Sequence, residues 1–247
     1  MTFFTTRLSA ALAPTFALAL GCAPTDAESS VQDIVAGRRA TAYPEAVQVN
    51  ALAAELPTAS CSGVIVAPRV VLTAGHCIDG FKAWGVYAPY AGEQGAMSYE
   101  AEVLDWDTGR TFTFERHDVG LVYLPSDFVL DSYPTLSAEP LADGTSIVAV
   151  GRVRDNFISE DDLFVSEPFA ITKDLGQKTT HPFHYGSTSE PIQHGDSGGP
   201  GVLLGEGPHT VVGINSSYRF LARVDLVHDW IAKRIAAHAA TPEPPND

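Results

Sequence analysis

The segment His194-Gly195-Asp196-Ser197-Gly198-Gly199-Pro200 decides how the rest of the chain is read. A serine set among glycines lies on tightly turned backbone with its hydroxyl accessible. Glycine puts no side chain in the way of a substrate, and backbone N–H groups in such a turn can converge on an oxyanion. Alone, the segment is also compatible with an ordinary turn. Two partners lie upstream. Thr73-Ala74-Gly75-His76-Cys77 follows the apolar run Val70-Val71-Leu72 and places a histidine just past a strand. A serine hydroxyl is a weak nucleophile and needs a nearby base, which an imidazole can be near neutral pH. His117-Asp118-Val119-Gly120-Leu121-Val122-Tyr123-Leu124 sets a carboxylate at the mouth of a strongly apolar strand. A half-buried aspartate there needs a partner, and orienting a histidine is one such role.

The surrounding pattern is that of an all-β protein. Val64-Ile65-Val66 and Val70-Val71-Leu72 read as a hairpin turning at Ala67-Pro68-Arg69. Val119–Leu124, Ile147–Val150 and Val211–Ile214 are further short runs bounded by Gly or Pro, a pattern of barrels and sandwiches. Only the end is helical: Val224, Val227, Ile231 and Ile235 recur at helical spacing over 224–238, with Asp225 as expected cap. Residues 239–247 read as a flexible tail.

The 247 residues carry a net charge of −15, with 15 Lys and Arg against 30 Asp and Glu. That acidity excludes a phosphate-seeking nucleic-acid binder and electrostatic docking on anionic lipid. Residues 1–21 read as a signal peptide: Arg7 precedes an Ala- and Leu-rich stretch too short to span a membrane comfortably. Ala19-Leu20-Gly21-Cys22 resembles a bacterial lipobox, so Cys22 is either a lipid-anchoring cysteine or part of a simple secretion signal. Residues 22–33 read as a tether or propeptide. Cys61 and Cys77 then remain, and in an exported domain two cysteines suggest one disulfide, the alternative being two buried thiols. Two cysteines 16 apart, with no CxxC, lack zinc-ligand spacing.

Taken together, TAGHC, HDVGLVYL and GDSGGP in the order His, Asp, Ser resemble the trypsin/chymotrypsin family of serine endopeptidases, over about residues 34–236. The resemblance implies an all-β fold of two perpendicular six-stranded Greek-key barrels with a C-terminal helix, here barrel one at about 34–127 and barrel two at about 128–223. It implies Ser197 as nucleophile, His76 as base and Asp118 as its orienting carboxylate, with the N–H groups of Gly195 and Ser197 as oxyanion hole. Ser216 matches the family's serine beside the buried aspartate, and Cys61–Cys77 the disulfide beside the catalytic histidine. Pro191, Ile192, His194, Ser216, Ser217 and Tyr218 fall at the substrate-binding cleft. Ile34-Val35-Ala36-Gly37 resembles the family's activation end, whose freed ammonium pairs with the aspartate before the nucleophile, here Asp196.

The resemblance and the leader together imply an exported serine endopeptidase of bacterial type, secreted or periplasmic, monomeric, acting on protein or peptide substrates and needing no cofactor or metal. A protease-like binding protein without catalysis is the alternative. Several positions depart from the family. Asp33 precedes Ile34, so an activating protease other than a trypsin-like one is implied. Gln193 stands where a cysteine is common, no acidic residue lies at the pocket base near Pro191 and Ile192, and Ser216 to Arg223 is short. Arg219 in that stretch reads as a solvated arginine or as an attraction for an acidic side chain. His181 and His184 flank Pro182, which reads as a loop with no third metal ligand evident, and Asp105-Trp106-Asp107 and Glu160-Asp161-Asp162 read as solvated turns rather than calcium sites.

Overall fold

The computed structural model describes residues 37–53, 58–106, 116–173 and 181–240. The leader, Cys22, the tether, Ile34 and the final seven residues lie outside them. Eighteen short strands form: β1 Arg38–Arg39, β2 Ala46–Leu52, β3 Ala59–Ala67, β4 Val70–Thr73, β5 Ala83–Ala88, β6 Gln94–Ser98, β7 Glu100–Val103, β8 Gly120–Tyr123 and β9 Thr135–Leu136 in the first half. The second half adds β10 Ser146–Gly151, β11 Val153–Arg154, β12 Phe157–Ile158, β13 Phe164–Val165, β14 Phe169–Thr172, β15 His184–Ser187, β16 Pro200–Leu203, β17 Thr210–Ser217 and β18 Phe220–Arg223, then helix α1 His228–Ala239.

The second sheet closes on itself. Its ladder runs β10-β14-β15-β18-β17-β16 and returns through β16 to β10, a closed six-stranded barrel. The first sheet runs β6-β5-β2-β3-β4-β8-β7. Its edges β6 and β7 are separated only by Tyr99, so one stretch of chain bent at that residue completes the wrap. Because no ladder joins β6 to β7 among the described residues, this half is a seven-stranded half-barrel beside the closed six-stranded one. The first-sheet span begins at Ala46 and not at 34, because Arg38–Arg39 pairs with β13 in the other sheet.

Alternation builds both interiors. In β2, Val47, Val49 and Ala51 are fully buried, and β4, β8 and β3 from Cys61 onward are buried throughout because both faces are covered. The β3–β4 hairpin turns where Pro68 ends the ladder, as the sequence pattern requires. Helix α1 lays Ile231, and the turn before it Val227, on the core of the first sheet. The helix starts at His228 rather than near 224. Asp225 does not cap it: its carboxylate accepts from Arg223 Nε at 3.1 Å and Nη2 at 2.5 Å and from the Tyr185 hydroxyl at 3.0 Å. With that side chain engaged, residues 224–227 form a turn closed by Val227 N–H on Val224 C=O.

Candidate active site

His76 sits in a one-turn 3-10 helix, Gly75–Cys77, directly after β4. Cys77 joins Cys61 of β3 with Cα atoms 6.3 Å apart, which ties this turn to the sheet. Cys61, His76 and Cys77 have ligand atoms within 4.8 Å, but the two sulfurs are bonded to each other and offer no thiolate to a metal.

Asp118 precedes β8 and is completely buried. Its φ of +51° is the left-handed region, costly for any residue with a Cβ. Three donors hold it there. The His76 backbone N–H reaches Oδ1 at 2.9 Å, His76 Nδ1 reaches Oδ2 at 2.9 Å, and the Ser216 hydroxyl donates to Oδ2 at 2.5 Å. Ser216 can do so because the β17–β18 register slips between Asn215 and Ser217, and a bulge turns its side chain toward Asp118. Burial works against a charge on His76, yet the Asp118 charge and hydrogen bond outweigh it and raise the imidazole above its ordinary value. The Trp106 ring lies 5.8 Å from that of His76, a neighbour that the sequence pattern did not mark.

The turn that carries Ser197 comes from the other sheet. Gly195 and Gly198 take φ of +117° and +86°. A Cβ on Gly198 would lie 2.0 Å from Thr73 Oγ1 and 2.2 Å from the Ser62 carbonyl, so the turn presses on β3 and β4 as only glycine allows. Ser62 holds it there: its N–H donates to Ser197 C=O at 2.7 Å and its hydroxyl to Gly195 C=O at 3.1 Å. Among the described residues the N–H groups of Gly195 and Ser197 meet no acceptor. Both residues line a cavity of about 290 Å³ together with His76, Ser216, Ala59, Ser60 and Phe81.

Asp196, between those donors, is fully buried. Its Oδ1 accepts from Val153 N–H and its Oδ2 from Gln193 N–H, both at 2.8 Å. Burial pushes its carboxyl up to about 7, against the pull of these amides and of Arg152. Its expected partner, Ile34, lies outside the described residues.

The specificity side departs from expectation. Tyr218 and Arg219 form the two-residue end of the β17–β18 hairpin. That hairpin is hydrogen-bonded straight to the opposite wall: Ile192 N–H to Tyr218 C=O at 3.2 Å, and Ser187 N–H to Arg219 C=O at 2.9 Å. Pro191 and Ile192 are buried behind it. Arg219 pairs with Glu190, with both side chains partly exposed. His194 and Tyr218 remain exposed and, with Gln193, line both the Ser197 cavity and a neighbouring one that includes Glu190. Within the acidic clusters Asp105 accepts from His117 N–H and Nδ1 at 3.0 and 2.8 Å and Asp162 pairs with Arg39 at 2.8 Å, while Glu160 and Asp161 are exposed. Asp107 lies outside the described residues.

Comparison with known proteins agrees with this layout. A solved structure of the scabies mite inactivated protease paralogue S-I1 superposes with a TM-score of 0.65 at 16% identity, covering 81% of this chain and 99% of that one. HL collagenase superposes with a TM-score of 0.64 at 16% identity, covering 81% and 96%. Likeness at that identity concerns the fold alone, and one of the two relatives is inactivated while the other is a collagenase. None of the curated protein sequences compared with the chain matches it. The sequence profile of the trypsin family matches residues 34–231, most of the chain and all of the cleft just described, and on that ground the protein belongs to the trypsin family.

Proposed function

We propose that the protein is a serine endopeptidase in which Ser197, His76 and Asp118 form the catalytic triad. The observation that carries this reading is the chain from the Ser216 hydroxyl through Asp118 to the His76 ring, ending in the cavity that holds Ser197 and the free N–H groups of Gly195 and Ser197. Asp118 fixes the His76 tautomer with Nδ1 protonated, leaving Nε2 to act as base. Ser197 Oγ attacks the peptide carbonyl as its proton passes to His76 Nε2. The oxyanion is received by the two N–H groups. His76 returns the proton to the leaving amine, and an acyl-enzyme remains. Water then attacks the ester with the same base, and the acid product and free Ser197 are released. No cofactor enters.

The chain is exported: residues 1–21 act as its signal, and 22–33 as a tether or propeptide, with Cys22 either lipidated or removed. A protease that cuts after Asp33 frees the Ile34 ammonium to join Asp196. The mature unit acts as a monomer on peptide or protein substrates. The closed wall at Ile192 and Tyr218 disfavours a long basic side chain behind Ser197, which separates this chain from a cutter after Arg or Lys.

A fluorophosphonate probe with mass spectrometry of the modified peptide tests the reading, on the full chain and on a form beginning at Ile34. Labelling of Ser197, lost in Ser197→Ala, supports it, and labelling confined to the Ile34 form supports activation at that bond. Folded protein that labels in neither form would establish the catalytically silent alternative, as in the inactivated mite relative. Side-by-side hydrolysis of peptides and simple esters then separates an endopeptidase from an esterase.

A further inference from the structure

Arg152 is the largest side chain sealed from solvent, at 1% exposure. It follows the last residue of β10 and leaves the second barrel to enter the first sheet. Its Nη1 donates to Asn50 Oδ1 at 2.6 Å and to Cys61 C=O at 3.4 Å, and Nη2 to Gln48 Oε1 at 3.2 Å, with Nε on Ser159 C=O at 2.8 Å. All of these acceptors are neutral. A guanidinium does not surrender its proton, so a full positive charge is buried here without a carboxylate in direct contact. Neutral dipoles orient such a charge but do not balance it. The anions that act on it are Glu160 and Asp196.

Asp196 has the complementary problem. It is buried, and Arg152 is the cation that favours its ionised form. The two are joined through backbone as well. The Arg152 and Val153 N–H groups bind the Asp196 carboxylate. A Cβ at Gly151 would fall 2.2 Å from Oδ1, so the carboxylate lies directly against this strand. An ionised carboxylate accepts from Val153 and Gln193 at once with both oxygens charged; protonating one oxygen makes it a donor and weakens it as an acceptor for its amide. Gln193 and Asp196 bracket the backbone that carries Gly195, and Ser197 follows.

We propose that Arg152 is a positioning residue: its guanidinium, locked between the two sheets, favours the ionised form of Asp196 in the chain whose Ile34 ammonium is not yet freed, and so supports the turn presenting the Gly195 and Ser197 N–H groups. Its contacts to Gln48, Asn50 and Cys61 make the same side chain a pin between the sheet carrying His76 and the barrel carrying Ser197.

The test compares the full chain with Arg152→Met, Arg152→Lys, Asp196→Asn and the double variant Arg152→Met with Asp196→Asn. Arg152→Gln, neutral but able to hydrogen-bond, replaces Arg152→Met should the latter not fold. The first readout is unfolding by denaturant from about pH 4 to about pH 9 and needs no catalysis. The folded carboxyl of Asp196 titrates near 7, above its ordinary 3.8. Its protonated form therefore favours the fold below 3.8, and this contribution is lost as pH rises through about 7. Without the Arg152 charge the loss extends upward by about one pH unit. Arg152→Lys returns it toward the original position, and Asp196→Asn abolishes it. The second readout, which rests on the protease reading, is the rate of Ser197 labelling, whose acid limb moves up by about the same unit in Arg152→Met. An Arg152→Met titration superposable on that of the parent, or an equal effect of Arg152→Met with and without the Asp196 carboxylate, overturns the proposal. Should Ser197 never label, the protease reading fails while the unfolding titration still decides the role of Arg152.

Discussion

Replacing Asp118 by Asn changes few atoms and separates positioning from packing. Three donors converge on the buried Asp118 carboxylate. An amide offers one oxygen to them and must point its NH₂ at the third. Where the NH₂ meets His76 Nδ1, the ring is forced into the tautomer with Nε2 protonated, which cannot take the Ser197 proton. The second loss is electrostatic. In the transition state His76 carries a full charge with Nδ1 2.9 Å from Asp118 Oδ2. At an effective dielectric constant of about 20, and with both charges spread over several atoms, that pair is worth about 5 kcal/mol. Labelling of Ser197 by a fluorophosphonate is therefore expected to slow by about three to four powers of ten. The pH dependence gives a sharper sign. Burial already opposes protonation of His76, and the Asp118 charge and hydrogen bond are what reverse it. With Asn in place, burial alone remains and His76 falls below its ordinary value. The acid limb of the labelling rate, above about pH 6.5 in the parent, should move down while the plateau collapses. A loss under tenfold, or a collapsed plateau whose limb stays in place, would refute this account of the pair.

Other substitutions probe the supports. Gly198→Ala forces a Cβ onto Thr73 Oγ1 and Ser62 C=O and sets an L-residue at φ +86°; it should cost about 4 kcal/mol or more, lower Tm by roughly 10 °C in calorimetry and abolish Ser197 labelling. Replacing both Cys61 and Cys77 by Ser opens a loop of sequence separation 16, worth about 3 kcal/mol in the chain-entropy model, and should lower the unfolding free energy in urea by about that amount. Ser216→Ala removes the 2.5 Å donor to a buried carboxylate and should cost about 2 kcal/mol by the same urea measurement, with Ser216→Thr, which keeps the hydroxyl, recovering most of it.

The parts legible in the sequence are those where residue type is dictated by local chemistry. The strands at 64–72, 120–123, 147–150 and 211–214 followed from β-branched runs cut by Pro and Gly, since such side chains fill a pleated, covered surface. The order of His76, Asp118 and Ser197 was readable because each sits in a short motif of restricted composition. What was not legible depends on partners far away in the chain. Asp225 has the composition of a helix cap, but Tyr185, 40 residues earlier, shares its carboxylate with Arg223. Arg219 looks like a solvent or substrate contact until the fold brings Glu190 to it. Arg152 follows an apolar run with nothing local to mark it as buried, because Gln48, Asn50 and Cys61 reach it from about 100 residues away. Residues 38–39 carry no sheet preference of their own, and the free edge of β13 recruits them.

The same distinction explains how the site is assembled. His76 and Asp118 are carried by the first sheet, and Gly195, Ser197 and Ser216 by the second. Neither half holds the proposed base and nucleophile together, so the proposed chemistry depends on the contacts that cross between them. Several of the crossings nearest the site are buried. Ser62 N–H and hydroxyl reach the nucleophile turn, Ser216 reaches Asp118, and Arg152 reaches Gln48 and Asn50. Each is a hydrogen bond whose loss strands a polar group away from water, so each contributes more through the penalty of being unmade than through its own net stabilisation. A small relative shift of the sheets would break several of these together, and alignment of base and nucleophile is held cooperatively. The Cys61–Cys77 bridge, which lies wholly within the first sheet and its His76 turn, therefore secures the base alone. The alignment of the proposed base and nucleophile is carried instead by contacts that cross between the sheets, those of Ser62, Ser216 and Arg152 among them, residues that take no direct part in moving the proton.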